Sequence, residues 1–202
     1  MASATRSGGT KRLPRAVREQ QMLDAALEVF SRNGFHETSM DAIAAEAQIS
    51  KPMLYLYYGS KDELFTACIN RESQRFLEAI APVGDPNLSP REQVQAGLAA
   101  LLNFVDNNRR SWQVLYRETT AQQAFASQVA SSRERVVELT ANLLRASSKR
   151  ADADFYVLAV AIIGAGEAIA NHMADGQITA EAAAPVLEEL AWRGLAGRRT
   201  EE

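Results

Sequence analysis

The residues of this sequence that could bind a phosphate or a nucleic-acid base lie in one short stretch, residues 39–61. It holds two lysines and three tyrosines. Lysine ammonium and tyrosine hydroxyl groups donate hydrogen bonds to phosphate oxygens, and lysine also reaches the edges of bases. Lys51, Met53, Tyr55 and Tyr57 are poorly explained as helix core. The pattern taken alone fits an ordinary helical hairpin equally well.

The distribution of charge adds a second feature of the same kind. Residues 1–18 contain five basic residues and no acidic one, whereas the other 17 basic residues stand against 25 acidic ones. A basic arm ahead of an acidic body is typical of nucleic-acid-binding proteins, because phosphates attract the arm. The alternative is a solvated tail that keeps the protein soluble. The five residues are Arg6, Lys11, Arg12, Arg15 and Arg18.

Residues suited to catalysis or metal binding are few. His36 and His172 have Asn33 and Ile169 three positions earlier, so the paired Glu-x-x-His motif of di-iron bundles is absent from the sequence. The single cysteine, Cys68, has apolar neighbours and is expected to be a small buried hydrophobic residue. The sequence contains no nucleophile elbow, P-loop or HExxH motif. We therefore expect no enzyme activity, no cofactor and no metal.

Composition places the chain among ordinary globular proteins. Of the 202 residues, 47% are apolar and 23% are charged, near the averages for such domains. The longest apolar run, residues 157–163, is too short to cross a bilayer. The N-terminal residues lack the apolar segment of a secretory signal. We expect a soluble cytoplasmic protein without membrane contact.

The segments that must position the candidate residues have helical periodicity, and no stretch alternates like a strand. Caps and breakers divide the chain into nine expected helices, at residues 14–33, 39–47, 50–59, 60–80, 89–107, 111–119, 121–146, 154–174 and 179–195. The expected fold class is therefore all-α. The first helix is predicted to bury one face, formed by Val17, Leu23, Ala26, Leu27 and Phe30.

The second and third helices are short and joined by a tight turn, which is the helix-turn-helix arrangement. Five small or apolar residues are spaced so that the two helices can cross over a shared core. These residues are Ile43, Ala44, Ala47, Ile49 and Leu54.

Two segments, GFHETSMDAIA at residues 34–44 and ISKPMLYLYYGSKDEL at residues 49–64, closely resemble the DNA-binding domain of TetR-family transcriptional regulators. The leucine–tyrosine pair, the aromatic residue two positions later and the serine–lysine opening of the fourth helix are in register. The resemblance covers about residues 16–65. It implies a basic arm over residues 1–15, a three-helix DNA-binding domain over 16–62, and a helical-bundle domain for effector binding and dimerisation over 63–202.

The resemblance also implies a homodimer that binds double-stranded operator DNA. The first expectation is a repressor released from a palindromic operator by a small lipophilic effector. An effector-dependent activator or a co-repressed regulator is the alternative, and a helical-bundle enzyme or a protein-binding module is a weaker one. Lys51, Pro52 and Met53 occupy positions that read base edges in the family. The residues expected to contact DNA are Arg15, Arg18, Thr38, Ser39, Ser50, Lys51, Pro52, Met53, Tyr55, Tyr57 and Lys61.

Three residues depart from the family pattern. Gln48 stands where the family usually has a glycine in the turn, and a positive φ at this position would cost glutamine roughly 1 kcal/mol. Met53 replaces a small residue or threonine and brings a flexible apolar group to the surface, where a thymine methyl is a suitable partner. Tyr58 replaces phenylalanine, so its hydroxyl needs a hydrogen-bond partner.

The last two helices are the candidates for dimerisation. The eighth is rich in alanine and glycine, which let helices approach closely, and the ninth carries an apolar stripe. By resemblance they pair with their two-fold mates, and packing inside one subunit is the alternative. The residues expected at the interface are Gly164, Ala165, Ala168, Val186, Leu187, Leu190 and Trp192.

Aromatic residues on the fifth to seventh helices suggest an effector pocket, although plain core is the alternative. Pockets are mostly apolar with a few polar groups. Glu167 has apolar helical neighbours, so it must be paired, exposed or protonated; a bond across the dimer and a ligand role are both open. The residues expected at an apolar or amphipathic effector are Asn103, Phe104, Trp112, Tyr116, Phe125, Ile162, Glu167 and Asn171.

Overall fold

The computed structural model describes residues 14–81, 85–118, 123–148 and 154–196, and within these ranges it has nine α-helices and no strand. The predicted all-α fold is therefore confirmed. Most of the basic arm lies outside the described residues. A π-helical turn, Val114–Glu118, continues α6. The helices are α1 (Arg15–Glu37), α2 (Met40–Glu46), α3 (Lys51–Tyr57), α4 (Lys61–Ile80), α5 (Pro90–Asn107), α6 (Arg109–Gln113), α7 (Gln123–Ser147), α8 (Phe155–Ala174) and α9 (Ala180–Ala196).

The first helix differs from its prediction at both ends. Gly34, with φ of 77°, interrupts the regular helix where a stop was expected, but one more turn follows and reaches Glu37. Val17 was wrongly assigned to the buried face, since 44% of its surface is exposed. Burial in α1 begins only at Met22, and the earlier turns contact α3 through the long side chains of Arg15 and Arg18 instead of an apolar face.

Serine caps define three of the other helix starts. The Ser39 and Ser60 hydroxyls accept hydrogen bonds from the backbone N–H of Ala42 and Glu63. Ser89 forms the predicted full capping box with Glu92, and these bonds hold the pKa of Glu92 below its ordinary value. The expected box at Ser60 is only half formed, because the Glu63 carboxylate accepts instead from the N–H of Gly59 at 3.1 Å.

The interior consists of two hydrophobic cores. The first joins α1–α3 to the N-terminal half of α4, and Val114, Leu115 and Phe125 from the second half of the chain also belong to it. The second core lies among α5–α9. Phe76 of α4 packs against both. This one helix therefore contributes to both parts of the molecule.

Helix α8 is unusually apolar. With a mean hydropathy of 1.5 over 18 residues it is long and apolar enough to cross a membrane, and it is the one such helix among the described residues. It extends well beyond the short apolar run of residues 157–163. In this fold α8 packs against α5, α6, α7 and α9. Buried core helices also have this composition.

Candidate nucleic-acid interface and effector cavity

The turn between α2 and α3 is built as the spacing predicted. Ile43 and Leu54 are fully buried and Ala44 nearly so, which forms the shared core of the two helices. Gln48 has φ of 53°, the one positive φ among described non-glycine residues. Its N–H donates to the carbonyl of Ala45, and the next N–H donates to that of Ala44. The glutamine therefore adopts the left-handed conformation that a glycine would adopt without strain.

The outer face of α3 is exposed. Lys51 donates a 2.7 Å hydrogen bond to Asp41, which raises the pKa of the lysine and keeps it charged. Pro52 is exposed, as is 43% of Tyr55. Ser50 is exposed and makes no side-chain cap bond, unlike the cap expected there. Leu56 was not among the residues predicted for this face, yet 80% of its surface is exposed. Its position between two tyrosines was the available signal.

The beginning of α1 lies against α3. The Arg18 guanidinium donates to the sulfur of Met53 at 3.2 Å, so Met53 is partly covered instead of freely exposed. Arg15 lies 5.4 Å from the ring centre of Tyr57 and is paired with Glu19. The chain therefore enters the described structure directly beside the exposed face of α3.

Two residues expected at DNA have other partners. The Lys61 ammonium donates to the carbonyls of Phe35, His36 and Thr38 at 2.8, 3.2 and 2.9 Å and lies 4.5 Å from the Phe35 ring centre. An ammonium has three N–H donors, so the phosphate contact expected of this side chain would require Lys61 to give up one of these bonds. Thr38 is buried and its hydroxyl donates to the carbonyl of Gly34. It was wrongly placed at the DNA surface.

A cavity of about 420 Å³ opens among α4, α5, α6, α7 and α8, within the usual range for ligand sites. Its walls are mainly hydrocarbon, with Trp112 and Tyr116 stacked 5.5 Å apart on one side. Of the expected effector residues, Trp112, Tyr116, Ile162 and Glu167 line it. Most of the remaining wall was missed, including the apolar residues Phe76, Val94, Leu98, Leu101, Val129, Val136, Leu139 and Leu143.

Four expected effector residues do not line the cavity. Asn103 is exposed, and Phe104 lies behind the wall, with its ring 5.2 Å from that of Phe76. Asn171 accepts a 2.8 Å hydrogen bond from the indole N–H of Trp112, so it orients a wall residue. Phe125 belongs to the other core, because the start of α7 faces the rings of Phe35 and Phe65.

One ion pair lies in the cavity wall. Arg133 donates to both carboxylate oxygens of Glu167, from Nε at 2.7 Å and from Nη2 at 2.9 Å. The bonds raise the pKa of Arg133, so the guanidinium stays charged. Only 13% of the Glu167 side chain is exposed. Pairing within the subunit therefore satisfies the carboxylate that the sequence had left without an assigned partner.

A second polar cluster holds α4 against α1. Glu72 is fully buried and accepts from Arg71 at 2.7 Å and from Arg75 at 3.1 Å. Arg71 also donates to Asp24 of α1 at 2.7 Å, while Arg75 donates to Asn108 before α6. Burial disfavours the charged form of Arg71, but its acidic partners outweigh this effect and raise its pKa.

The expected dimer residues divide into exposed and buried ones. Ala168 is exposed, as are about half of Val186 and Leu190, and a Cβ added to Gly164 would meet no atom within 4 Å. Leu187 is 1% exposed in the core of its own subunit, so its assignment to an interface was wrong. Ala165 packs partly against the same core. The side chain of Trp192 lies outside the described residues.

The pKa values of two further groups near the first core are raised by burial. Cys68 is fully buried, as predicted, and burial raises the pKa of its thiol to about 12. Tyr58 is half-buried, and desolvation raises its pKa to about 12. Within the described part of the chain, no three acidic, histidine or cysteine residues are grouped so that they could hold a metal ion.

Comparison with known proteins agrees with this geometry. The family model "Bacterial regulatory proteins, tetR family" matches residues 22–68, and "Tetracyclin repressor-like, C-terminal domain" matches residues 90–194. The chain is 27% identical over 195 residues to the HTH-type transcriptional activator FasR of Mycolicibacterium smegmatis. The aligned residues cover 94% of this chain and 89% of that protein.

Solved structures show the same relationship. A TetR-like transcriptional regulator from Rhodococcus sp. RHA1 is 65% identical with a TM-score of 0.87, covering 93% of this chain and 100% of that one. AibR, solved in complex with isovaleryl coenzyme A and operator DNA, shares the fold at 22% identity and a TM-score of 0.73, covering 86% of this chain and 97% of its own. With both halves of the chain matched, the protein belongs to the TetR family and is a DNA-binding transcriptional regulator, not an enzyme.

Proposed function

We propose that the protein acts in the cytoplasm as a homodimer, represses transcription from a palindromic operator, and is released by an apolar or amphipathic effector. The observation that carries this proposal is that α4 belongs both to the core of the DNA-binding helices and to the wall of the cavity. Its first half is part of the core of α1–α3, and Ser73, Phe76, Leu77 and Ile80 of its second half line the cavity. A ligand that shifts α4 must therefore also shift the helix-turn-helix.

On the DNA side, the exposed face of α3 supplies the reading surface. Lys51 is a donor for guanine, and Leu56 offers a hydrocarbon surface for thymine methyls. Tyr55 and Tyr57 are donors for phosphate oxygens, and Arg15 and Arg18 lead the basic arm towards the same backbone. A two-fold dimer presents two such surfaces to half-sites about one helical turn apart.

On the effector side, the composition of the cavity favours hydrocarbon. At about 30 Å³ for a group the size of a water molecule, 420 Å³ holds about 14 such groups. This volume suits a medium-length alkyl chain. The complex of AibR with isovaleryl coenzyme A supports an acyl compound as the class. Because an effector shifts an equilibrium only through its differential affinity, it must prefer the form of α4 that does not bind the operator.

An effector-dependent activator is the second candidate. The specific observation in its favour is the similarity to FasR, an activator by its name, along 94% of this chain. The two candidates differ in the sign of the effector's action and in the position of the operator relative to the promoter.

The DNA-binding proposal is tested with duplexes selected from a random pool and measured by fluorescence anisotropy at several salt concentrations. The selected site should be palindromic and bound at least about 1,000-fold more tightly than random duplex. Lys51→Ala should relax the preference at one or two positions by about 1–3 kcal/mol each. Tyr57→Phe should weaken all sequences alike. Equal binding of selected and random DNA would refute the proposal.

The effector proposal is tested by blocking the cavity. Leu139→Trp adds volume at a half-exposed wall position. Asn142→Trp places the same ring at an exposed position of the same helix, outside the cavity wall and outside the proposed dimer interface. With lipophilic acyl compounds as probes, only Leu139→Trp should reduce the effect of the probe on operator affinity. Operator affinity without probe should stay unchanged in both variants. Release by the effector supports a repressor, whereas tighter operator binding supports the activator.

A further inference from the structure

We infer that the cavity selects an effector whose buried polar group is uncharged, such as an ester, thioester, amide or alcohol, and that the Arg133–Glu167 pair makes this selection. The inference rests on the proposed effector cavity and concerns which members of the lipophilic class can enter it. A free fatty acid and a fatty amine are the compounds it excludes.

The polar groups that face the cavity determine which charged ligands it can accept. The charged residues in its wall are Arg133, Glu167 and Arg135. Arg135 is exposed and donates to the hydroxyl of Ser132, so it lies at the solvent side, where screening by water leaves a charge pair with little net energy. The remaining polar wall groups are hydroxyls, on Ser73, Ser132, Thr140 and Tyr116, and the Trp112 indole N–H, which is already bonded to Asn171.

The paired charges cancel each other within the wall. Both oxygens of Glu167 accept from Arg133, and Arg133 uses Nε and Nη2 for them. A carboxylate entering the cavity would have to take Arg133 away from Glu167 and leave that acid buried without a counter-charge, which is strongly unfavourable. An ammonium group would draw Glu167 away from Arg133 and leave the guanidinium, whose side chain is 38% exposed, without its counter-charge.

An uncharged acceptor meets no such obstacle. The Nη1 group of Arg133 is not used in the bidentate pair, which takes Nε and Nη2, and it donates no hydrogen bond to another of the described residues. A guanidinium has five N–H donors, so Nη1 can donate to a carbonyl or hydroxyl oxygen while the ion pair stays intact. Hydrogen bonds from a charged donor are stronger than neutral ones, and this gives the cavity one specific polar contact in a hydrocarbon wall.

The test compares probes with the same chain on the full-length protein. Methyl dodecanoate, dodecanoate and dodecylammonium compete with the neutral fluorescent probe N-phenyl-1-naphthylamine, and their dissociation constants are obtained from its displacement. We expect the wild type to bind the ester at least about 10-fold more tightly than either charged probe. Glu167→Gln leaves Arg133 unpaired and should bind dodecanoate at least about 10-fold more tightly than the wild type does.

Two further variants make the result specific. Arg133→Gln leaves Glu167 unpaired and should show the mirror gain, for dodecylammonium and not for dodecanoate. It also keeps the inference testable if Glu167→Gln does not fold. Glu134→Gln removes the same charge one residue from Arg133, where Glu134 bonds to Tyr156 and lies outside the cavity wall. It should leave all three affinities within about 2-fold of the wild type.

The outcomes separate this inference from the effector proposal. If the ester binds but neither variant gains affinity for its charged probe, the ion pair does not select and the inference is wrong. The same holds if the wild type binds dodecanoate as tightly as the ester. If none of the probes, including the fluorescent one, binds any of the proteins, the effector cavity itself is refuted.

Discussion

Lys61 shows how one side chain can have a role different from the one its position suggests. Its ammonium binds the three carbonyls that follow the kink in α1, and the last carbonyls of a helix otherwise lack partners. The side chain thereby ties the end of α1 and the start of α2 to the start of α4.

We expect Lys61→Met to lower the free energy of unfolding by about 2–3 kcal/mol, since hydrogen bonds from charged groups contribute more than neutral ones. Lys51→Met is the matched control, because its pair with Asp41 is exposed and should contribute less than about 1 kcal/mol. Urea denaturation measures both. The salt slope of operator binding should stay unchanged in Lys61→Met. If the dependence of log K on log salt became flatter by about one unit in Lys61→Met, Lys61 would contact a phosphate in the complex with DNA.

Gln48 gives a second prediction at this scale. Its left-handed φ of 53° costs an L-residue roughly 1–2 kcal/mol, so Gln48→Gly should stabilise the protein or leave it unchanged, despite the extra freedom of glycine in the unfolded chain. The preceding residue, Ala47, has an ordinary helical φ of −74°. Ala47→Gly should therefore destabilise by about 0.5–1 kcal/mol. Destabilisation of equal size by both glycines, measured by thermal unfolding, would contradict this account.

At the scale of elements, α4 is fixed to α1 through its buried acid. Glu72 balances Arg71 and Arg75 where no surface of the acid is exposed. We expect Glu72→Gln to destabilise by about 3–5 kcal/mol, because it leaves the buried guanidinium of Arg71 without its main counter-charge.

The control lies on the same helix. Glu78 is exposed and accepts a hydrogen bond from Gln74 one turn earlier, so Glu78→Gln should change stability by less than about 0.5 kcal/mol. Chemical denaturation followed by circular dichroism distinguishes the two. A loss below 1 kcal/mol in Glu72→Gln would mean that the cluster is not a structural clamp.

The helices themselves could be predicted because their signals are local. Ser39, Ser60 and Ser89 precede helices whose N–H groups they cap, and Gly34 interrupts α1 where it was expected to. The π-helical turn after α6 has no such signal. Along this turn, Val114 and Leu115 point into the first core. Trp112 and Tyr116 pack against the second core, and a local sequence pattern does not show this division.

The candidate sites were predictable to a lesser degree, for a physical reason. The exposed face of α3 follows from periodicity, but the partners of Lys61 are 23 to 26 positions away in the chain, and no short-range pattern indicates them. Which face of α7 meets the cavity depends on helix packing, which the sequence does not show. For this reason Arg133 was missing from the predicted cavity residues, and Phe125 was wrongly included among them. Glu167 was noticed because its neighbours are apolar, although its partner could not be found from the sequence.

At the scale of the whole molecule, the exposed apolar face of α8 and α9 is the surface for dimerisation in our proposal. Gly164→Arg should give monomers by light scattering without loss of subunit stability, since a Cβ added there would meet no atom within 4 Å. Gly166→Leu is the contrasting change. A Cβ there would lie 3.0 Å from Leu101, and the rest of the larger side chain would have to enter a buried site. Overpacking should therefore destabilise the subunit while the dimer persists. A dimeric Gly164→Arg would place the interface elsewhere.

The membership of Val114, Leu115 and Phe125 in the first core limits how such proteins can be recombined. A chimera that joins residues 1–62 to the bundle of another regulator would bring three foreign side chains into this core, one of them against the ring of Phe35. The DNA-binding helices of one regulator and the bundle of another can therefore not be combined freely. When the bundle diverges to accept new effectors, packing against the DNA-binding helices constrains these three positions. A functional chimera must therefore keep Val114, Leu115 and Phe125 together with the DNA-binding helices of this chain.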